Sequence, residues 1–301
     1  MEHDVDETGT LLDILNRLLP ASSNRTLRRM LTSGRVLVDA TVEHRANRPI
    51  ELGARITILD RSKAMDPKGN RTRDAFRDLI WEDEHLILVN KPSGLLSVAT
   101  DRLEQDTMHA RTVDHIRSSS PRGWAHIVHR LDRGTSGVLI LARHERHQRN
   151  LQRQFEDRTV HRRYLALVEG RPTDESGTVV QHLIEDRNLR VHAVARGTQG
   201  ARDAITHWTF ISERTGASLI DITIETGRRH QIRKAMSSIG TPVIGDRDHG
   251  GHRSDLHRLG LHAWSIEFDH PETGEPIEGV APIPNPFRPW ADASKIPFAN
   301  L

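Results

Sequence analysis

The sequence predicts an α+β fold, with a large and largely antiparallel sheet following a small N-terminal module. Three observations carry that expectation. Strand-like stretches recur through the later part of the chain, as Leu86–Asn90, Val138–Ala142, Tyr164–Glu169 and Ser218–Glu225. Helical stretches between them are few, so the alternating rhythm of a parallel βαβ sheet is missing. The first sixty residues have a pattern of their own, cut off by a polar stretch at 60–77 that holds Pro67, Gly69 and Asn70 amid mixed charge. A chain of 301 residues is long enough for two such parts.

The elements follow in order. Leu11, Leu12, Leu15, Leu18 and Leu19 recur at helical spacing, and Pro20 stops that helix. Ser22 and Ser23 are good caps for a second helix, which carries Leu27, Met30 and Leu31 with Arg25, Arg28 and Arg29 on and around one face, and which Gly34 ends. Two short strands come next, Arg35–Val38 and Ala54–Leu59. The module spans 10–60, the linker 61–78 and the body 79–290. Within the body, Ile220, Ile222 and Ile224 alternate with Asp221, Thr223 and Glu225, the mark of a strand with one wet face. His144–Asp157 reads as a helix with Leu151 and Phe155 at i,i+4. Arg229–Ile239 reads as another, closed by Gly240 and Pro242. Ala281–Trp290 is proline-rich and irregular.

Composition excludes several chemistries. With no cysteine there is no disulfide, thiolate zinc site, iron–sulfur cluster or cysteine nucleophile. No apolar run approaches the length of a membrane-spanning helix. Met1–Gly9 is acidic and polar, unlike a secretory signal, so a cytoplasmic location is expected. No phosphate-cradling glycine loop is present, and Ser136 lacks the flanking glycine pattern of a nucleophile elbow. His126-x-x-His129 and His144-x-x-His147 have ligand-like spacing. No HExxH helix or compact carboxylate set accompanies them, so no metal is expected.

The charge is nearly balanced, 43 cations against 41 anions, but 38 of the cations are arginine. Arginine presents a planar fork of donors that fits phosphate and stacks on bases. An arginine-rich genome would give the same total; the clustering is what points to nucleic acid. Residues 21–48 hold six arginines against two acids, and residues 129–163 nine against four.

The densest cluster of polar residues is His129-Arg130-Leu131-Asp132-Arg133-Gly134-Thr135-Ser136-Gly137, directly before the apolar run Val138–Ala142. The neighbouring arginines favour the ionised form of Asp132. This run resembles the catalytic motif of the RluA-type pseudouridine synthases. Val89–Gly94, Arg163–Gly170, Thr226–Arg233 with Gly240–Asp246, and Leu261–Ala263 resemble further segments of that family. Tyr164, the single tyrosine of the chain, falls where the family's motif has one. The N-terminal helix–helix–strand pattern resembles the S4 RNA-binding module, although its turns read Asp39-Ala40 and Gly53-Ala54 where that module has Asn-Gly and Gly-Asp.

The resemblance implies an α+β catalytic domain built on a largely antiparallel mixed sheet, with a small S4-like module before it. It implies isomerisation of uridine in RNA, which breaks the C1′–N1 bond and forms a bond through C5, with no metal or organic cofactor. Asp132 would be the essential carboxylate; attack at C1′, attack at C6 and removal of the C2′ proton stay open. Tyr164 would stack on the uracil, and Arg233 would pair with Asp132. Arg130 would enter the RNA stack as the base leaves it, and Thr135, Arg228, His230 and Gln231 would line the substrate site. Arg25, Arg28 and Arg29 would contact phosphates. The implied partner is RNA, ribosomal RNA of the large subunit ahead of transfer RNA, with the enzyme a monomer. Two departures stand out: Arg233 is followed by Lys234-Ala235 instead of a small apolar residue and histidine, and an aromatic-glycine turn is replaced by His249-Gly250. The alternative is a non-catalytic RNA-binding ribosome-assembly factor that keeps the fold. A hydrolase acting through Asp132 would need a second acid or a metal nearby.

Overall fold

The computed structural model describes residues 2–32, 35–39, 41–43, 46–59, 76–100, 104–252 and 256–291. The side chains of Arg25, Arg28 and Arg29 lie outside that description, as do Gly34, Ala40 and most of the linker, residues 61–75. The chain divides into two compact units, Met1–Ala75 and Phe76–Leu301.

The first unit runs β1 (Glu2–Asp4), β2 (Gly9–Thr10), α1 (Leu11–Leu18), α2 (Asn24–Thr32), β3 (Val36–Val38), β4 (Thr41–Val42), β5 (Pro49–Ile50) and β6 (Arg55–Ile58). Helix α1 opens on a reciprocal cap: the Thr10 hydroxyl accepts the Asp13 N–H at 3.3 Å, and the Asp13 carboxylate accepts the Thr10 N–H at 3.2 Å. It ends because Leu19, placed before Pro20, has left the helical region with φ −131°. Leu11, Leu15, Leu27, Leu31, Val36 and Ile56 bury the helical stripes against the sheet β1-β6-β3-β4. Both helices and the two strands expected from sequence, β3 and β6, are present within a residue or two; β1, β2, β4 and β5 were not anticipated.

The second unit runs β7 (Leu79–Glu82), β8 (Leu86–Lys91), α3 (Met108–Ser119), β9 (His126–Ile127), β10 (Ser136–Ala142), α4 (Glu145–Glu156), β11 (His161–Glu169), β12 (Ser176–Glu185), β13 (Val191–Val194), β14 (Arg202–Arg214), β15 (Ala217–Ile224), α5 (Gln231–Ser238), β16 (Leu261–Asp269) and β17 (Pro276–Val280). The main path of its sheet is β13-β12-β14-β15-β11-β16-β10-β8-β7, with β17 on β16 and β9 on β10. The pairings of this sheet are antiparallel apart from β10 with β16. The α+β, largely antiparallel expectation is therefore met.

Strand alternation sorts the core into two layers. Ile87, Val89, Leu139, Leu141, Ala166 and Ile222 face one side, where Met108 and Ile116 of α3 and Ile232 and Met236 of α5 cover them. Leu86, Leu88, Val138 and Ile140 face the other side, under Leu151 of α4. Helix α3 has no counterpart among the elements expected from sequence. Its buried stripe is thin, Met108, Thr112, Val113 and Ile116 among polar residues, and the Thr107 hydroxyl caps it by accepting the Ala110 N–H. The long β12–β14 hairpin was also missed, because Ala204, Thr206 and Trp208 give its buried face little aliphatic signal.

Candidate active site

The loop ahead of β10 carries Asp132, and its backbone is tied down from several sides. Ser97 Oγ donates to the Leu131 carbonyl at 2.8 Å and accepts the Leu131 N–H at 3.0 Å. Ser93 Oγ donates to the Gly134 carbonyl at 2.6 Å, and Gly94 N–H donates to the Arg133 carbonyl at 2.8 Å. Lys91 is wholly buried beneath the loop, where its ammonium donates to the carbonyls of Pro92 (3.0 Å), Leu95 (2.7 Å) and Arg133 (3.3 Å). Burial pushes the Lys91 amine down to about 7, against the opposing pull of the Asp132 charge. His129 stays neutral: its Nε2 accepts the Ile140 N–H at 3.1 Å, and burial holds its pKa near 3. At the start of β10, Gly137 has φ +116°, and a Cβ there would sit 2.0 Å from the Ala263 carbonyl oxygen. Only glycine lets β10 run alongside β16 at this point.

Asp132 opens onto a cleft of about 1760 Å³. Its carboxylate is 31% exposed. Tyr164 reaches the same cleft from β11, at a register shift between Arg163 and Tyr164 against β16 that re-aims the strand. Burial raises the Tyr164 phenol above its ordinary value, and the nearby Asp132 charge adds to that. Helix α5 supplies the third wall. Its cap residue His230 has φ +53°, a left-handed conformation that is unusual for a non-glycine residue and is concentrated at functional sites. His230 Nε2 lies 3.9 Å from Asp132 Oδ2, and His230 Nδ1 lies 2.9 Å from His249 Nε2. Burial lowers both imidazoles, His249 to about 4. One turn on, Arg233 is buried with its fork on Asp246, Nε to Oδ2 at 2.7 Å and Nη2 to Oδ1 at 2.5 Å. Nη2 also donates to Asp248 at 2.9 Å, and Nη1 lies 3.8 Å from Asp132 Oδ2.

Residues 85–238 match the model of the RNA pseudouridylate synthase family. The chain belongs to that family. It is 33% identical over 209 residues to the uncharacterized RNA pseudouridine synthase YhcT of Bacillus subtilis, covering 69% of this chain and 68% of the relative. It is 34% identical over 220 residues to the ribosomal large subunit pseudouridine synthase D of Nitrosomonas europaea, covering 69% of this chain and 62% of the relative. Among solved structures, the human RNA pseudouridylate synthase domain containing 4 shares the fold, with a TM-score of 0.60 at 22% identity over 70% of this chain and 90% of that one.

In this pseudouridine synthase Asp132, Tyr164, His230 and Arg233 meet at one cleft, whose rim also includes the exposed Arg130 and the half-buried Arg228. Thr135 lies at its edge, buried, with a hydroxyl that has no hydrogen-bond partner among the described residues. The contacts of three of these groups go beyond what the sequence shows. Gln231 lines the cleft as expected, but its amide is engaged within the protein. Its amide accepts from Thr226 Oγ1 (2.7 Å) and Arg228 N–H (3.0 Å) and donates to the Ile205 carbonyl (2.8 Å), so it braces the turn into α5. Arg233 lies at ion-pair distance from Asp132 as expected, and Asp246 additionally holds its fork. The charge beside Asp132 comes from Arg233, with the His230 imidazole as a polar neighbour, while Arg133 turns away and donates to the Gly94 carbonyl at 2.9 Å. Sequence reasoning also missed Lys91, the Asp246 anchor, His249 and Arg162. Arg162 lines the cleft with its guanidinium 5.4 Å from the Phe155 ring, and its own neighbour in sequence, the Arg163-Tyr164 pair, was the available signal.

Among the described residues no helix is long and apolar enough to cross a membrane.

Proposed function

We propose that this synthase isomerises uridine in large-subunit ribosomal RNA, with the target base turned out of the RNA into the cleft and Asp132 as the essential carboxylate. The observation that carries the reading is the carboxylate itself. It is presented to the cleft from a loop fixed at four points, with a buried guanidinium 3.8 Å behind it and an imidazole 3.9 Å to one side. A fixed, partly desolvated carboxylate is suited to act on a sugar carbon, on the base or on a sugar proton, and the three routes stay open. The glycosidic bond is hidden in stacked RNA, so the base must leave the stack to reach it. The phenyl ring of Tyr164 offers a flat apolar wall for the uracil, and its phenol stays protonated at neutral pH. Exposed Arg130 at the rim is placed to enter the gap that the base leaves.

Large-subunit ribosomal RNA is favoured over transfer RNA by the names of two relatives, from Nitrosomonas europaea and from Zymomonas mobilis, each a ribosomal large subunit pseudouridine synthase D. The first unit, with its helix–helix–strand order, acts in this reading as an S4-like RNA-binding module joined by a linker. The enzyme works as a cytoplasmic monomer without a cofactor.

Site-resolved mapping tests the reaction, its target and the role of Asp132. RNA from a strain lacking the gene is treated with carbodiimide and read by primer extension, then compared after wild type or Asp132→Ala is restored. A stop in large-subunit RNA that vanishes with the gene and returns only with wild type is expected. In vitro, Asp132→Asn loses at least roughly a thousandfold in rate, with RNA affinity nearly unchanged. Full activity in that variant overturns the assignment.

A further inference from the structure

Away from the cleft, imidazoles gather at one end of the catalytic sheet. His85 lies in the turn between β7 and β8, His147 in the first turn of α4, and Glu272 in the turn between β16 and β17. None of the three lines the cleft. Their ligand atoms all lie within 4.8 Å of one another. We propose that His85, His147 and Glu272 form a binding site for a divalent transition metal of the zinc class.

Four observations support it. His147 Nε2 and Glu272 Oε2 are already 2.9 Å apart. Zn2+ with bonds of about 2.0–2.1 Å holds tetrahedral ligands roughly 3.3 Å apart, so this pair needs only a small shift, and His85, within 4.8 Å of both, a larger one. Second, His147 is 1% exposed, and Nδ1 of His85 is buried with no hydrogen-bond partner among the described residues. The His85 imidazole thus keeps bonding capacity that burial without a partner makes costly. Third, the position already attracts a cation. The Arg146 guanidinium, itself 67% exposed, lies 3.0 Å from His147 Nε2 and 3.3 Å from Glu272 Oε2. A side chain so exposed can swing out when a metal arrives. Fourth, the wall behind the site is fixed. His270 Nε2 lies 2.8 Å from Asp83, and its Nδ1 accepts from Glu272 N–H and Thr273 N–H. With both nitrogens taken, His270 holds the Glu272 turn in place instead of ligating. The His85 ring stands edge-on to His147 at 4.7 Å and to His270 at 5.2 Å.

Two imidazoles and one carboxylate, with the fourth position left to water, suit Zn2+, Co2+ or Ni2+. The spacing His144-x-x-His147 hinted at such chemistry, but the carboxylate stands 125 residues downstream of His147 and could not be paired with it by sequence. Bound metal would clip three distant segments together, so it acts on stability rather than on the reaction.

The full-length protein, stripped with chelator, is titrated with Zn2+ by calorimetry and with Co2+ by visible absorption, and is melted with and without Zn2+. One equivalent binds, and Zn2+ raises the Tm. Glu272→Gln, at an exposed turn that tolerates the change, and His147→Gln each weaken binding at least about tenfold and remove the Tm gain. Arg146→Ala tightens binding, because the competing cation is gone. Absence of one-to-one binding, or binding that both Glu272→Gln and His147→Gln leave intact, overturns the proposal.

Discussion

Replacing Asp246 by asparagine isolates what holds Arg233. The Asp246 side chain is fully buried and takes two charge-assisted bonds from the guanidinium, at 2.7 and 2.5 Å. Asparagine keeps the shape and removes the charge, so a buried guanidinium loses its main counter-ion. Breaking a buried pair from one side costs about 3–5 kcal/mol. Asp248 still accepts one bond at 2.9 Å and so leaves the guanidinium partly compensated, which favours the lower end, about 3 kcal/mol. For a unit of this size that corresponds to a fall in Tm of about 6–12 °C, read by circular dichroism on the transition of the catalytic unit. The rate should fall too. Freed from Asp246, Arg233 has Asp132 only 3.8 Å away and closes on it, drawing the carboxylate from its position. A displacement of about 1 Å is enough for roughly a hundredfold loss, seen as slower pseudouridine formation at saturating RNA with RNA affinity unchanged. A Tm within about 1 °C of wild type, together with an unchanged rate, would refute the idea that Asp246 positions Arg233.

Further tests reach other parts of the molecule. The buried Lys91 amine has a pKa of about 7 against 10.5 in an open chain, so the folded protein gives up a proton that the unfolded chain keeps. Between those values stability rises with pH, and the cost of burying the charge is felt in full below pH 7. Urea unfolding of wild type against Lys91→Met should therefore favour wild type increasingly from neutral to alkaline pH; a difference flat with pH would contradict the burial. Gly137→Ala forces a Cβ into the Ala263 carbonyl and a left-handed φ on alanine, costing about 3 kcal/mol, to be read from the urea midpoint. Tyr164→Phe keeps the apolar wall and should leave RNA binding intact while slowing any step that needs the phenol; Tyr164→Ala should weaken both binding and rate. Deleting residues 1–60 should weaken RNA binding and flatten its dependence on salt, since phosphate contacts would be lost; an unchanged slope would leave the first unit without an RNA role.

The parts legible in the sequence were those with a strong local signal. The leucines of α1 and the alternating isoleucines of β15 each declare a period, and the structure keeps both. The catalytic-motif run was legible because seven of its residues sit together ahead of an apolar strand. What was not legible depends on residues that meet only after folding. Lys91 looks like any strand-end lysine until three carbonyls close over it. Gln231 looks available until Thr226, Arg228 and Ile205 take up its amide. Asp132 was expected beside Arg233 and lies 3.8 Å away, but the tighter hold of Asp246, 13 residues along the chain and at 2.7 Å, follows no helical or strand period and shows only in the fold. Helix α3 was missed for a local reason, a stripe too thin to stand out among its histidines, arginines and serines.

The side-by-side pairing of β10 with β16 has a consequence for how the enzyme comes into being. Ser136 and Gly137 lie beside His262 and Ala263, and Ser136 Oγ meets His262 Nδ1 at 2.8 Å. The strand that steadies the Asp132 loop thus lies 126 residues downstream of it, from Ser136 to His262. Contacts of such long sequence separation form late and slow folding. A nascent chain that has emerged only as far as β15 carries every arginine of the loop but lacks the strand against which it is set. The reaction centre therefore draws on segments from both sides of β15: the loop before β10, and α5 and β16 after it, must come together before Asp132 is set.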